Sequence, residues 1–344
     1  MPALKISRQM REDMMRIIVN GGTLPDNKEL GSKDEIEAKR RFMKEFPKSK
    51  STNLTQKDVI RFIEKHRLLE RMKASLDTFN RHKILPVVLE GGDVTGKTTL
   101  CFALGRMLKC TFLENQSTNH FDQVFGDYGR HARVAVIDHN KSALVGLLFY
   151  FTTNVLAIEL ASKMRNTGPV VLLDSFMLRS MSSRIGHPKI GKGVKIDKDA
   201  KALVRGWVER KLMPIFCSAS GAPLIVFMYG SEASRMRMLK MRKEVTVNDV
   251  RMDYTNFVEA NLRRYQKMLE ECKAPEYSVL MVTENEIRSS RGMADALAVK
   301  TGNIRRDLEQ TTLILSDAIN QERLMRGWSM VHVTWKDKYL SGIQ

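Results

Sequence analysis

Val87-Val88-Leu89-Glu90-Gly91-Gly92-Asp93-Val94-Thr95-Gly96-Lys97-Thr98-Thr99-Leu100 joins a short apolar run to a glycine turn and then to a helical pattern that opens at Lys97. The turn fits G-x-x-x-x-G-K-[ST], in which successive backbone N–H groups cradle phosphates, a lysine reaches the terminal ones and a hydroxyl faces Mg²⁺. Lys97 and Thr98 take those two places, on a loop that runs through Gly91, Gly92, Asp93, Val94, Thr95, Gly96, Lys97, Thr98 and Thr99. The flanks agree with this reading. Residues 84–89 read as a buried parallel strand, and residues 98–107 as a helix whose N-terminus faces the bound anion.

Downstream, the chain alternates apolar runs with helical periodicity, which is the pattern of a parallel sheet covered by helices. Strands are expected at 110–113, 170–174, 223–228 and 278–282. Helices are expected at 143–163, 198–217, 247–271 and 285–300, with a charged helix after Gly230 that carries Arg235, Arg237, Lys240, Arg242 and Lys243. Residues 143–160 approach membrane-spanning length, but Thr152, Thr153, Asn154 and Glu159 interrupt them, so they read as a core helix. Asp174 closes the apolar run 170–173, where an acid can hold Mg²⁺ through water. Asp138, after residues 134–137, is a second acid of the same kind. Residues 186–197 are Gly-rich and basic, and read as a mobile connector or as a clamp for an anion.

Leu89-Glu90-Gly91-x-Asp93-x-x-Gly96-Lys97-Thr98-Thr99 closely resembles the phosphate loop of the thymidylate kinases, which carry Glu-Gly-x-Asp-x-x-Gly-Lys-[Ser/Thr]-Thr. The order of the later elements is similar to that family over residues 84–300. The resemblance implies an α/β phosphate-loop NTPase fold that binds a nucleoside triphosphate, ATP, with Mg²⁺. It implies phosphoryl transfer to a nucleoside or nucleoside monophosphate. Lys97 and the loop amides would hold phosphates, Thr98 and Asp174 the metal, and Asp93 and Glu114 the acceptor. Arg235, Arg237 and Arg242, with Arg251 beyond them, stand where the family has its lid arginines.

Several positions depart from the family. Leu113 and Asn115 flank Glu114 where an Arg and a Pro are expected. Thr152, Thr153 and Asn154 replace an Asp-Arg pair, Ser175 replaces an Arg after Asp174, and Val94 stands where some members have an Arg in the loop. Arg179 and Arg184 are the nearest later arginines that could serve the space vacated at Ser175. These losses leave two other readings open. One is a nucleic-acid-associated NTPase; the other is a nucleotide-binding structural protein on the same fold.

Three stretches follow from the remaining sequence: a basic helical region at 1–83, the kinase-like domain at 84–300 and an extension at 301–344. Within the first, helices are expected at 5–19, 33–46 and 56–80, the last opened by Thr55-x-x-Asp58. This region holds 20 Lys and Arg against 12 Asp and Glu. It reads as an arm for nucleic acid or an acidic protein, or as a solvated cap on the core. The extension holds a helix at 305–325 and an aromatic tail at 328–335. The whole chain of 344 residues has 57 Lys and Arg against 39 Asp and Glu, a formal charge of +18, which suits an anionic partner beyond one nucleotide. The four cysteines, Cys101, Cys110, Cys217 and Cys272, are scattered and lack the spacing of a zinc site, and charged residues begin at Lys5. A reducing, intracellular and cytoplasmic setting is the expectation.

Overall fold

The computed structural model describes residues 54–113, 143–163, 168–188, 193–217, 221–241, 252–272, 279–282, 287–289 and 304–333. The helices expected at 5–19 and 33–46, and the sites Asp138, Glu114, Arg242 and Arg251, lie outside the described residues.

Thr55 opens the first helix as its spacing predicts. Its hydroxyl accepts from the Asp58 N–H at 3.3 Å while the Asp58 carboxylate accepts from the Thr55 N–H at 2.9 Å, the reciprocal pairing of a capping box. The helix expected at 56–80 is two helices, α1 (Gln56–Lys65) and α2 (Leu68–Arg81), because Arg67 takes a left-handed conformation at φ 51° between them. Val59, Phe62 and Ile63 of α1 and Leu68, Met72, Leu76 and Phe79 of α2 are buried in the same core as the sheet.

β1 (Leu85–Gly91) leads through the loop into α3 (Lys97–Leu108), then β2 (Thr111–Leu113). After α4 (Ala143–Lys163) come β3 (Val170–Asp174) and α5 (Met177–Arg184). The stretch read as a connector at 186–197 begins and ends in a short antiparallel ladder, β4 (Gly186–Pro188) with β5 (Val194–Ile196). The helix expected at 198–217 is α6 (Lys198–Leu203), a π turn at Val204–Val208 and α7 (Glu209–Phe216). Then follow β6 (Leu224–Met228), α8 (Glu232–Met241), α9 (Met252–Glu271), β7 (Val279–Val282), β8 (Ile287–Ser289) and α10 (Ile304–Met325). Residues 285–300 are expected to be helical, yet 287–289 pair antiparallel with β7, so backbone pairing at the sheet edge overrides the local helical pattern there.

The six strands lie in the order β2-β3-β1-β6-β7-β8, parallel except for the last. Every residue of β1, β3 and β6 is buried, as expected where helices cover both faces of a parallel sheet. This is the expected α/β fold. The chain leaves β1 toward β2 on one side, whereas the connections from β3 and β6 run toward the other, so the switch point of the sheet is the carboxyl end of β1. The helix at Ala143–Lys163 has the length and apolarity to cross a membrane, but 76% of its most apolar window is buried against protein, as expected of a core helix.

At the opposite, amino end of the strands, α10 is tied down. Arg323 donates to the carbonyls of Lys83 at 2.8 Å, Pro169 at 2.5 Å and Ser329 at 2.8 Å, while Trp328 and Val331 of the aromatic tail are buried against the core. Two of the four cysteines are joined. Cys217, at the end of α7, and Cys272, at the end of α9, form a disulfide across 55 residues, so cysteine usage assigns no reducing compartment. Cys101 and Cys110 are buried free thiols.

Candidate nucleotide site

The glycines of the loop are placed by crowding and by backbone conformation. A Cβ on Gly91 would come within 2.5 Å of the Met228 carbonyl oxygen on β6. Gly96 holds φ +81° immediately before α3, and Val94 holds φ 59° two residues earlier. Positive φ at alternating positions turns consecutive N–H groups toward one hollow, the geometry that binds phosphate oxygens at a helix N-terminus. Lys97, the first residue of α3, is buried. Its ammonium donates to the Gly92 carbonyl at 2.5 Å and to the Thr95 hydroxyl at 3.3 Å, so it lies across the mouth of the loop. Burial, with the Arg179 guanidinium nearby, holds the Lys97 ammonium pKa below its usual value.

Leu89 and Asp174 are register partners in β1 and β3, which puts the carboxylate of Asp174 beside the start of α3. The Thr98 hydroxyl donates a short hydrogen bond to Asp174. A hydroxyl and a carboxylate in contact are the oxygen donors that Mg²⁺ takes from a protein when the rest of its shell is water and phosphate. Among the described residues no group of three or more His, Cys, Asp or Glu forms a cage, and a phosphate-bound Mg²⁺ does not require one. The residues present therefore fit the metal. Ser175 continues the ladder, donating its N–H to the Leu89 carbonyl at 2.9 Å, from a left-handed backbone at φ 64°. That conformation is uncommon for a residue with a Cβ and turns the chain abruptly from β3 into α5.

Glu90 is a buried acid whose role the sequence reading did not see. Its carboxylate accepts from the N–H groups of Phe176 at 3.2 Å, Leu178 at 3.1 Å and Arg179 at 3.1 Å, so it caps the N-terminus of α5. Burial nevertheless dominates and pushes the Glu90 carboxyl up to about 7. The signal was present in the sequence: an acid that follows Val87-Val88-Leu89 in a buried strand requires buried partners.

The cap fixes α5 so that Arg179 reaches back to the loop, where its guanidinium pairs with Asp93 in a short contact. That pairing raises the Arg179 pKa above its ordinary value. Of the two later arginines, Arg179 pairs with Asp93 of the loop, while Arg184 stacks on the Tyr150 ring at 4.3 Å. Asp93 therefore faces a cation as well as the loop.

Of the arginines that the resemblance assigns to a lid, Arg235 is buried and Arg237 is exposed on α8. Arg235 donates to Glu259 at 2.5 Å and to Asn256 at 2.7 Å, both on α9. Glu259 touches the loop itself, since a Cβ on Gly92 would come within 3.0 Å of its Oε1. Thr152, Thr153 and Asn154 are buried on α4, with the Asn154 amide donating to Ser180 of α5 at 3.1 Å. The structure thus brings Asp93, Lys97, Thr98, Asp174 and Arg235 around one loop, together with Glu90, Arg179 and Glu259.

No protein-family profile matches the chain, and no curated protein matches it by sequence. Among solved structures it is similar to a thymidylate kinase from Candida albicans, with 13% identity and a TM-score of 0.45, over 73% of this chain and 98% of that one. The α/β fold stands on the strand order and the loop geometry above, not on this similarity.

Proposed function

We propose that the chain transfers a phosphoryl group from ATP to a nucleoside or nucleoside monophosphate in a Mg²⁺-dependent reaction. The observation that carries this reading is the contact of Thr98 with Asp174 beside a buried Lys97, at the switch point of a parallel sheet. In this reading Lys97 leaves the Gly92 carbonyl for the β and γ phosphates, while the N–H groups between residues 91 and 99 take the phosphate oxygens. Thr98 and Asp174 would hold Mg²⁺, which when bound would supply positive charge to offset that of the phosphates, and the bond between the γ phosphorus and the leaving ADP breaks. An acceptor oxygen forms the new bond to the γ phosphorus, with Asp93 and Arg179 facing it from the loop side. Glu114 is assigned to the acceptor, and Arg235, Arg237 and Arg242 to the developing charge, from their places in the sequence. Almost all of the rate enhancement in such a site comes from positioning and electrostatics.

One observation favours a second reading. Where the resemblance expects a charged clamp for the acceptor, the chain buries the neutral Thr152, Thr153 and Asn154. That suits a nucleotide-hydrolysing or nucleotide-binding protein whose partner is nucleic acid or an acidic protein, engaged through the basic region 1–83, and the charge of +18 agrees. Measuring ADP release with ATP and Mg²⁺, alone and with a panel of nucleosides, nucleoside monophosphates and single-stranded nucleic acid, separates the two. Acceptor-dependent release with a phosphorylated product supports the transferase. Stimulation by nucleic acid alone, or binding without turnover, supports the second reading.

A further inference from the structure

A buried carboxylate beside the glycine loop holds a buried guanidinium. Glu259 accepts from Arg235 at 2.5 Å, lies against Gly92, and is drawn toward its charged form by Arg235, Arg263 and Lys97, although burial outweighs them. Arg235 is itself buried, and its Nε has no hydrogen-bond partner among the described residues. A guanidinium in this state has donor capacity left over and points it into a protein interior that leaves it unused.

We propose that Glu259 is an internal stand-in for a phosphate: it occupies the anion seat shared by Arg235 and the loop, and a polyphosphate chain must displace it in order to bind. This rests on the phosphate-binding reading of the loop, though not on phosphoryl transfer. The geometry makes the exchange direct. Glu259 and Asn256 sit one turn apart on α9 and hold the two ends of one guanidinium, while Thr255, on the same helix face, packs against Gly92 with only 2.8 Å to an added Cβ. When α9 shifts outward, the carboxylate leaves the loop, Arg235 is freed, and the hollow opens to the ligand. Without ligand, the same contacts keep Arg235 from remaining buried and uncompensated, which would be costly. Glu259 is thus a positioning residue that sets how much of the protein is ready to bind, and apparent affinity falls in proportion to the ready fraction.

The test uses the full chain, with inorganic tripolyphosphate and Mg·ATP as separate probes in calorimetric titration, and thermal unfolding of the ligand-free protein alongside. Glu259→Gln keeps the shape and the hydrogen bonds but removes the competing charge. It is expected to bind tripolyphosphate about tenfold more tightly than wild type, while its ligand-free form melts at a lower temperature. Arg235→Gln, which removes the cation that both anions use, is expected to bind more weakly. A merely structural ion pair predicts weaker binding for both variants. Equal or weaker tripolyphosphate binding by Glu259→Gln overturns the proposal, whether or not the wild type transfers phosphate. Tighter binding without transfer to any acceptor keeps the internal stand-in and removes the kinase reading.

Discussion

The two ends of the same central strands are built in opposite ways. At their carboxyl ends β1 and β3 present Glu90 and Asp174 into a region that also buries Lys97, with Arg179 and Arg235 beside it. At their amino ends Leu85 and Val170 are apolar, and the buried Arg323 closes the edge by donating to three backbone carbonyls, while its neighbour Arg326 donates to the Ala222 carbonyl and pairs with the buried Glu322. Buried charge is costly in either place. For Arg323 at the amino end that cost is met by neutral acceptors in fixed positions, and for Glu322 by Arg326 one turn further on, which is a stabilising arrangement. At the carboxyl end Arg179 pairs with Asp93 and Arg235 with Glu259, each across two different elements, and in the proposed function these pairs exchange partners when an anion arrives. In the proposed function ligand chemistry thus belongs to the carboxyl end, and the amino end serves stability.

The largest expected effect sharpens that contrast. Lys97→Ala removes the ammonium that lies across the loop, and turnover should fall by about 10³-fold or more while unfolding temperature changes little. Steady-state ADP release and a melting curve on the same preparation check both halves, and intact turnover would mean the loop is not the site. At the other end, Arg323→Ala removes a donor from the carbonyls of Lys83, Pro169 and Ser329, of which Pro169 keeps the Leu85 N–H, and should lower stability by about 3 kcal/mol. Its nucleotide affinity should stay within about twofold of wild type, since distant sites act nearly independently. Denaturant titration with and without ATP reads both, and a large loss of affinity would show that the two ends are coupled.

A smaller effect concerns pH. The Glu90 carboxyl is raised in the folded state from 4.5 to about 7, so between those values the folded chain binds more protons than the unfolded one. Stability therefore falls as pH rises from about 4.5 to about 7, by up to roughly 3 kcal/mol, and this contribution is constant above that window. Glu90→Gln should lose that slope. It should also start from a lower stability, because its amide NH₂ meets the N–H of Arg179. Parallel pH profiles for the two proteins would remove Glu90 as the titrating group. The predicted gain in tripolyphosphate affinity for Glu259→Gln adds a third test at the carboxyl end.

What was legible in the sequence follows the same division. Features fixed by local pattern are found where they were read: the strand at Val170–Asp174, the core helix at Ala143–Lys163, the Thr55 capping box and the glycine loop. Asp174 could be singled out because its distance along the chain from the loop and its place at the end of an apolar run are sequence properties. The misses are long-range. Arg67 splits one expected helix into two, β8 forms because a neighbouring strand is available, and Cys217 meets Cys272 only once α7 and α9 end side by side. Glu259 had a visible signature, since it lies on the same helical face as the buried Thr255 and Leu262, but the identity of its partner did not. Periodicity says which face is inward and is silent about what stands opposite.

Calorimetric titration of Mg·ATP into the wild-type chain tests the central claim most directly. Saturable uptake at one site per chain, lost in Lys97→Ala, is the predicted result. Absence of heat with every purine triphosphate, in protein shown to be folded by its melting transition, would contradict it.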